Sequence, residues 1–337
     1  MNLSRRANVA KRILKTVSYS VLILFLVLVL NFVLIRLMPG DVLIGILGES
    51  EYTRLMTEFP EQFDVIREKY GLNDSYLVQF GKYLNNILHF NFGYSYSNTQ
   101  PVTEYVMYNM MWTLILMLPT LIMSSVFGGI LGLVAGQNPK SLFNKVMTGI
   151  AIIIGKIPAQ FISILLLMLF AFHLQWFPLG GMTSGGLSGT EKAIDVIYHM
   201  TLPVLILTTF RTLSNFLYVK SYTMQLLQED YMITAMSKGL RKKSLINRHL
   251  LKNIMLPYST QLCMQFGGIF GGSMVLETVF SWKGMGVVMN TAAQTKDFPV
   301  LQFAILLIAA TVLLSNIIAD IIAGLIDPRI GSGVENE

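Results

Sequence analysis

Glu229–Pro257, EDYMITAMSKGLRKKSLINRHLLKNIMLP, is a polar, basic island in a chain that otherwise reads as lipid-soluble. Seven Lys or Arg fall between Lys220 and Lys252, while the flanking segments carry almost no charge. Short loops on the cytoplasmic side of a membrane carry such an excess of Lys and Arg. The stretch therefore reads as an inner loop between two spans, and it sets the orientation of everything around it. Within it, Tyr231–Lys238 holds good helix formers and no breaker, and Gly239 follows as a left-handed C-cap. A second helix is predicted from about Lys242 to Met255, with Ile246, Leu250 and Ile254 on one face and Arg248 and Lys252 roughly opposite. Leu256-Pro257 is expected to close the loop. Taken alone, these residues fit a docking surface for a soluble partner or an amphipathic helix lying on lipid.

Composition agrees with a membrane protein. Of 337 residues, 53% are hydrophobic and only 13% charged, against roughly 25% charged in soluble domains. The mean hydropathy is +0.57. The net charge of +6 sits at the N-terminus and in loops beside apolar runs, which points to topology and anionic lipid contact and away from nucleic acid. Cys263 is the only cysteine, so no disulfide forms within the chain. The first apolar run is too long for a signal peptide and is read as a retained anchor helix.

About 20 apolar residues cross the hydrocarbon as a helix. Six segments qualify: Thr16–Leu37, Trp112–Gly136, Val146–Leu174, His199–Val219, Tyr258–Phe280 and Val300–Ile326. The expected fold is all-α, a polytopic bundle of six transmembrane helices with both termini cytoplasmic. Arg5, Arg6, Lys11, Arg12 and Lys15 precede the first span, and Lys140 and Lys145 lie between the second and third, all on the side of the basic loop. The organisation expected is a cytoplasmic segment 1–15, a first span 16–37, an extracytoplasmic region 38–111, a five-helix core 112–326 containing the loop 220–257, and a cytoplasmic tail 327–337. The outer region is too long for a simple connection. It contains helix-like pieces at Pro60–Tyr70 and Ser75–Leu88, the latter with Leu77, Phe80, Leu84 and Leu88 at helical spacing. It reads as a small cap, either a plain lid or a contact for a substrate-delivery protein.

Charge inside a span is costly and needs an account. Arg36 is close enough to the outer end of its span to snorkel. Lys156 precedes Pro158, which breaks the third span; it lines a cavity, or the span begins later. Arg211 is mid-span, Glu277 near the outer end of the fifth span and Asp320 toward the inner end of the sixth. Each serves as a salt-bridge or interface residue, or contacts a substrate in the pathway. Gly128, Gly129 and Gly132, and again Gly267, Gly268, Gly271 and Gly272, allow close helix approach, either as fixed packing or as surfaces that slide.

Several chemistries are missing from the sequence. Gly155-Lys156 is followed by Ile157 and is no P-loop; no H-E-x-x-H and no G-x-S-x-G occurs. No catalytic and no metal-ligating set is assigned. Met107, Met110 and Met111 read as packing.

The basic loop resembles the "EAA" motif of permease subunits of ABC importers, in particular the peptide/nickel branch. It matches at Asp230, Tyr231, Ala235, Lys238, Gly239, Arg248, His249, Asn253, Leu256 and Pro257, with Ile233 where Glu is general. The resemblance extends along the chain: Tyr70-Gly71-Leu72-Asn73 with Gln79, Asn91–Ser95, Pro178–Gly181, His199–Pro203, Glu277–Trp282 with Gly284 and Gly286 (Lys283 replacing the usual Pro), Asp297-Phe298-Pro299 and Asp327-Pro328-Arg329. The long outer loop is similar to that of the B-type permease.

The resemblance implies a type I importer permease that forms half of a pathway for oligopeptides or dipeptides. Its implied partners are a second, similar permease, two ABC ATPase subunits, an extracytoplasmic solute-binding protein and membrane lipid. ATP and Mg belong to the ATPases, and this chain is expected to be non-catalytic, in a bacterial cell membrane. The ATPase-coupling interface is assigned to Glu229, Asp230, Tyr231, Ala235, Lys238, Gly239 and Leu240. Nickel or metal–chelator import is the alternative within the family, and an ion-gradient-driven transporter the alternative outside it.

Overall fold

The computed structural model describes residues 3–37, 41–239 and 244–326. Leu240, the expected helix start at Lys242 and the terminal Asp327-Pro328-Arg329 lie outside the described residues.

Long helices dominate because a backbone in lipid must satisfy its own hydrogen bonds. α1 (Leu3–Leu37) is followed by four short helices, α2 (Val42–Leu47), α3 (Glu49–Glu58), α4 (Pro60–Lys69) and α5 (Tyr76–Leu88). Then come α6 (Val102–Gln137), α7 (Leu142–Lys156), α8 (Ala159–Leu167, prolonged by a wide π-helical turn to His173) and α9 (Gly189–Leu226). α10 (Asp230–Ser237) forms the elbow; a second wide turn, Leu245–Leu250, runs into α11 (Leu251–Ile269). α12 (Met274–Val279), α13 (Met285–Gln294) and α14 (Phe298–Ile326) complete the order. No strand occurs among the described residues.

Four of these helices are long and apolar enough to cross a membrane: α1 from Thr16, α6, α9 and α14 up to Gly324. Taken together, the pair α7 plus α8, bent by 94°, is also long and apolar enough to cross. The bend falls at Pro158, the residue expected to break it. The expected span Tyr258–Phe280 is corrected. α11 begins before Pro257 and carries that proline inside the helix, so Leu-Pro ends nothing. The helix stops at Ile269, because Gly272 takes φ +67° and turns the chain. α6 likewise begins at Val102 rather than Trp112, and its outer turns belong to the region assigned to the loop.

α6 and α9 run parallel and in backbone contact. A Cβ at Gly128 would lie 2.9 Å from the Thr212 carbonyl, at Gly132 2.7 Å from the Phe216 carbonyl, and at Gly136 2.9 Å from the Lys220 carbonyl. The four-residue spacing puts all three glycines on one face of α6, where no side chain fits. Gly129, on the next face, meets the Tyr258 ring of α11. Of the second glycine group, Gly267 packs against Val312 and Ser315 of α14, and Gly272 lies against Glu277 of α12 and Gly286 of α13. α1 lies outside α14, fastened by Thr16 Oγ1 donating to Asp320 (2.8 Å) and by Asn31 Nδ2 donating to the Gln302 carbonyl (3.0 Å).

The cap has its own small core of Leu43, Leu55 and Phe63. The Asp41 side chain accepts from Leu43 N and pairs with Arg67. α5 lays Phe80 and Tyr83 on Phe32 of α1, while Arg36 donates twice to Gln79 (2.7 and 3.2 Å). Of the four residues at helical spacing, Leu77 and Leu88 are 84% and 77% exposed.

Candidate functional site: the elbow and the outer turn

α9 ends at Leu226, and the chain turns through Leu227–Glu229 into α10. The two-turn helix has an inside and an outside. Met232 and Ala235 are buried in a cluster with Val219, Leu245, Leu250, Ile254 and Tyr258. That cluster joins the ends of α9 and α11, so the elbow rests on two long helices at once. The remaining surface of α10 is open: Glu229, Asp230 and Lys238 are exposed, and Tyr231, Ile233 and Met236 are 41%, 49% and 44% exposed. Asn253 Nδ2 of α11 donates to the Tyr231 hydroxyl at 3.0 Å, which fixes the elbow to the following span. Gly239 closes the helix with its N–H on the Met236 carbonyl (3.0 Å) and φ +71°. A Cβ there would meet nothing, so backbone conformation alone calls for glycine.

Glu229, Asp230, Tyr231, Ala235, Lys238 and Gly239 are thus brought together on or around one helix. Ala235 differs from the rest in facing inward, where it seats the helix. Sequence reasoning passed over Ile233 and Met236 as contact residues. Their signal was available: two apolar side chains at i, i+3 in a polar segment, about 100° around the helix from Met232 and Ala235.

The other four intramembrane candidates do not form one group. Lys156 is exposed at the Pro158 bend. Asp320 belongs to the α1–α14 seam through Thr16. Arg211 makes no hydrogen bond or ion pair with any described residue.

Glu277 is fully buried at the opposite end of α6 from Gly136. Its carboxylate accepts from Thr113 Oγ1 (3.0 Å), Val287 N (3.2 Å) and Ser273 N (3.4 Å). Thr113 Oγ1 in turn accepts from Met285 N at 2.7 Å. The acid therefore caps the N-terminus of α13, where amides and helix dipole favour a negative charge, and ties that turn to α6. Trp282, also fully buried, donates from Nε1 to the Trp112 carbonyl at 2.9 Å. A Cβ on Gly284 would come within 2.6 Å of the Glu277 carboxylate, and one on Gly286 within 2.6 Å of the Met274 backbone. The spacing E-T-V-F-S-W-x-G-x-G follows from this knot.

The scattered outer segments converge on the same end. Gly181 N donates to the Phe280 carbonyl at 2.9 Å. Ser95 Oγ donates to Asp297 at 2.5 Å, and Phe92 packs on Phe303 with ring centroids 4.3 Å apart. Asn91–Ser95 meets Asp297–Pro299, and Pro178–Gly181 meets Glu277–Trp282: segments far apart in sequence become contacts in space.

Residues 128–332 match the family described as binding-protein-dependent transport system inner membrane component. The oligopeptide transport system permease protein AppB of Bacillus subtilis is 31% identical over 322 residues, which cover 95% of this chain and 99% of that protein. The di/tripeptide transport system permease protein DppB of Pseudomonas aeruginosa is 30% identical, with 91% of this chain and 94% of that protein covered.

Proposed function

The chain belongs to the family of binding-protein-dependent transport system inner membrane components, and from that membership we propose that it is the permease subunit of an ATP-driven importer of oligopeptides or dipeptides. It works as half of the translocation pathway, beside a second, similar permease. An extracytoplasmic solute-binding protein delivers the peptide. Two ABC ATPase subunits bind ATP and Mg on the cytoplasmic side, which is also the side of both termini and of the elbow. The chain itself carries out no hydrolysis. The names of its relatives favour peptides over metal–chelator complexes.

One observation carries the coupling role: α10 is seated by Met232 and Ala235 on a cluster shared by α9 and α11, and turns its Tyr231, Ile233 and Met236 side outward. Such a helix receives a push on its outer face and passes it to two spans through close-packed side chains. ATP-driven closure of the ATPases moves the elbows, and the spans behind them switch the cavity from inward-facing to outward-facing. Hydrolysis resets it.

The test is co-purification and uptake. A tagged chain should bring down an ATPase subunit and a second permease from membranes. Reversing the charges, Asp230→Lys with Lys238→Glu, should abolish ATP-dependent peptide uptake while the chain still inserts in the membrane. Normal uptake by that double variant counts against the reading. Uptake driven by an ion gradient with no ATPase would replace it with a secondary transporter.

A further inference from the structure

Arg211 is a cation in the middle of a span with no counter-ion among the described residues. It lies in α9 among Ile206, Leu207, Leu213 and Phe216, all buried and apolar. No carboxylate of the described residues pairs with it, and no described side chain or carbonyl hydrogen-bonds to it. Lipid is a poor environment for a guanidinium at this depth. No described residue answers the charge.

Helical register shows which side of α9 is involved. Lys220, nine residues on, lies half a turn around the helix from Arg211 and donates to Thr148 of α7 at 2.6 Å. Arg211 is therefore on the flank away from α7. Thr208 and Asn215 stand one turn to either side of it, and Thr212 is its neighbour in sequence, about 100° around the helix. Asn215 meets α11, where Gln265 Nε2 donates to its Oδ1 at 2.7 Å. Around this single bond, four buried polar atoms have no partner: Thr208 Oγ1, Thr212 Oγ1, Asn215 Nδ2 and Gln265 Oε1. Buried donors and acceptors of this kind are normally paired.

We propose that Arg211 is the anion-recognition residue of the pathway and takes the C-terminal carboxylate of a peptide in transit. The proposal rests on the peptide-import reading above. A guanidinium matches a carboxylate with two parallel hydrogen bonds. A free peptide carries a carboxylate whatever its sequence, so a receptor for that group suits a pathway that must pass many side chains.

The experiment uses the assembled transporter, with both permeases, the ATPases and the binding protein, in proteoliposomes. The probe is labelled trialanine, whose only anion is its C-terminal carboxylate. Arg211→Gln should co-purify with its partners and lower ATP-dependent accumulation by about 10- to 100-fold, the loss expected for one charge-assisted interaction. Arg211→Lys, which keeps the charge but not the bidentate fork, should recover part of that loss. Wild-type accumulation by the Gln variant overturns the inference. So does a Gln variant that no longer assembles, because Arg211 then binds the partner permease; so does a Lys variant as impaired as Gln. Absence of uptake by the wild-type assembly is a different failure: it removes the importer reading, and this inference with it.

Discussion

The α6–α9 seam and the α10 elbow are built on opposite terms. Along the seam, three glycines bring two backbones so close that even a methyl group would collide. At the elbow, two side chains are buried and the rest of the helix is uncovered. A seam of this kind has one arrangement, since interiors this dense do not deform gradually. An elbow of this kind has a complete underside and an incomplete top. The difference separates two kinds of contact: α6 and α9 are locked side by side, while α10 keeps a face that no described residue covers. It also argues that the first glycine group is fixed packing, because sliding α6 along α9 would drive Thr212, Phe216 and Lys220 carbonyls past the face that only glycine leaves open.

The most damaging change should strike the seam. Gly132→Leu places a branched side chain where a single Cβ already falls 2.7 Å from the Phe216 carbonyl and 2.8 Å from Val219 Cβ. Overpacking typically costs about 1–3 kcal/mol, and contact with backbone puts this case at or above that range. Loss of the folded chain from detergent extracts, read by size exclusion, is the expected result. A well-folded Gly132→Leu variant would show that the helices separate easily and would erase the contrast. Next comes the outer knot. Glu277→Ala leaves Val287 N, Ser273 N and Thr113 without their acceptor, at about 1–3 kcal/mol for a buried donor left unpaired. The expected fall in thermal stability is clear but smaller than at Gly132. Glu277→Gln keeps one acceptor oxygen and should recover part of it; equal losses in the two variants would assign the effect to volume rather than to capping.

Gly239 lies between the two regimes. It has open space around it and a positive φ, so Gly239→Ala meets no clash but strains the backbone by about 1–2 kcal/mol. The cost falls on a short segment, not on the bundle. Thermal stability should change little, while peptide uptake per assembled complex falls several-fold as the elbow loses its turn. A drop in stability matching that of Glu277→Ala would mean that the elbow is part of the folded core after all.

Much of this was legible in the sequence because lipid imposes simple rules. Apolar runs gave α1, α6, α7–α8, α9 and α14, and the Pro158 break was visible since proline lacks a donor and obstructs the preceding turn. The elbow and its glycine were visible for similar local reasons. What failed were boundaries that hydropathy does not mark. Gly271-Gly272 ends α11 in a stretch that is still apolar, and the turn that replaces the helix is held by Glu277, whose partners lie on α6 and α13. Pro257 looked like a terminator, yet the helix passes through it. α6 extends outward to Val102 because Val102 and Val106 pack on α13 and α14, a tertiary reason that no local window contains. Isolation is equally invisible: that Asp320 finds Thr16 while Arg211 finds no partner depends on helices more than a hundred residues away.

The smallest effect on stability carries the sharpest test of the contrast. Ile233 and Met236 are about half exposed on the outer face of α10 and pack in no described core cluster. Replacing both by Ser should leave thermal stability within about 0.5 kcal/mol, as surface substitutions usually do. If that face is covered in the assembly, the same pair should loosen the ATPase. Each apolar side chain taken from water on binding is worth about 1.5–3 kcal/mol when fully buried, so together they should weaken association by at least about tenfold. Co-purification at increasing detergent dilution would measure it. Met232→Ser, one turn away but facing inward, is the control: it should reduce stability first and binding only as a consequence. Should the outer pair behave like Met232, the elbow has no separate top and bottom, and the push must reach α9 and α11 by another route.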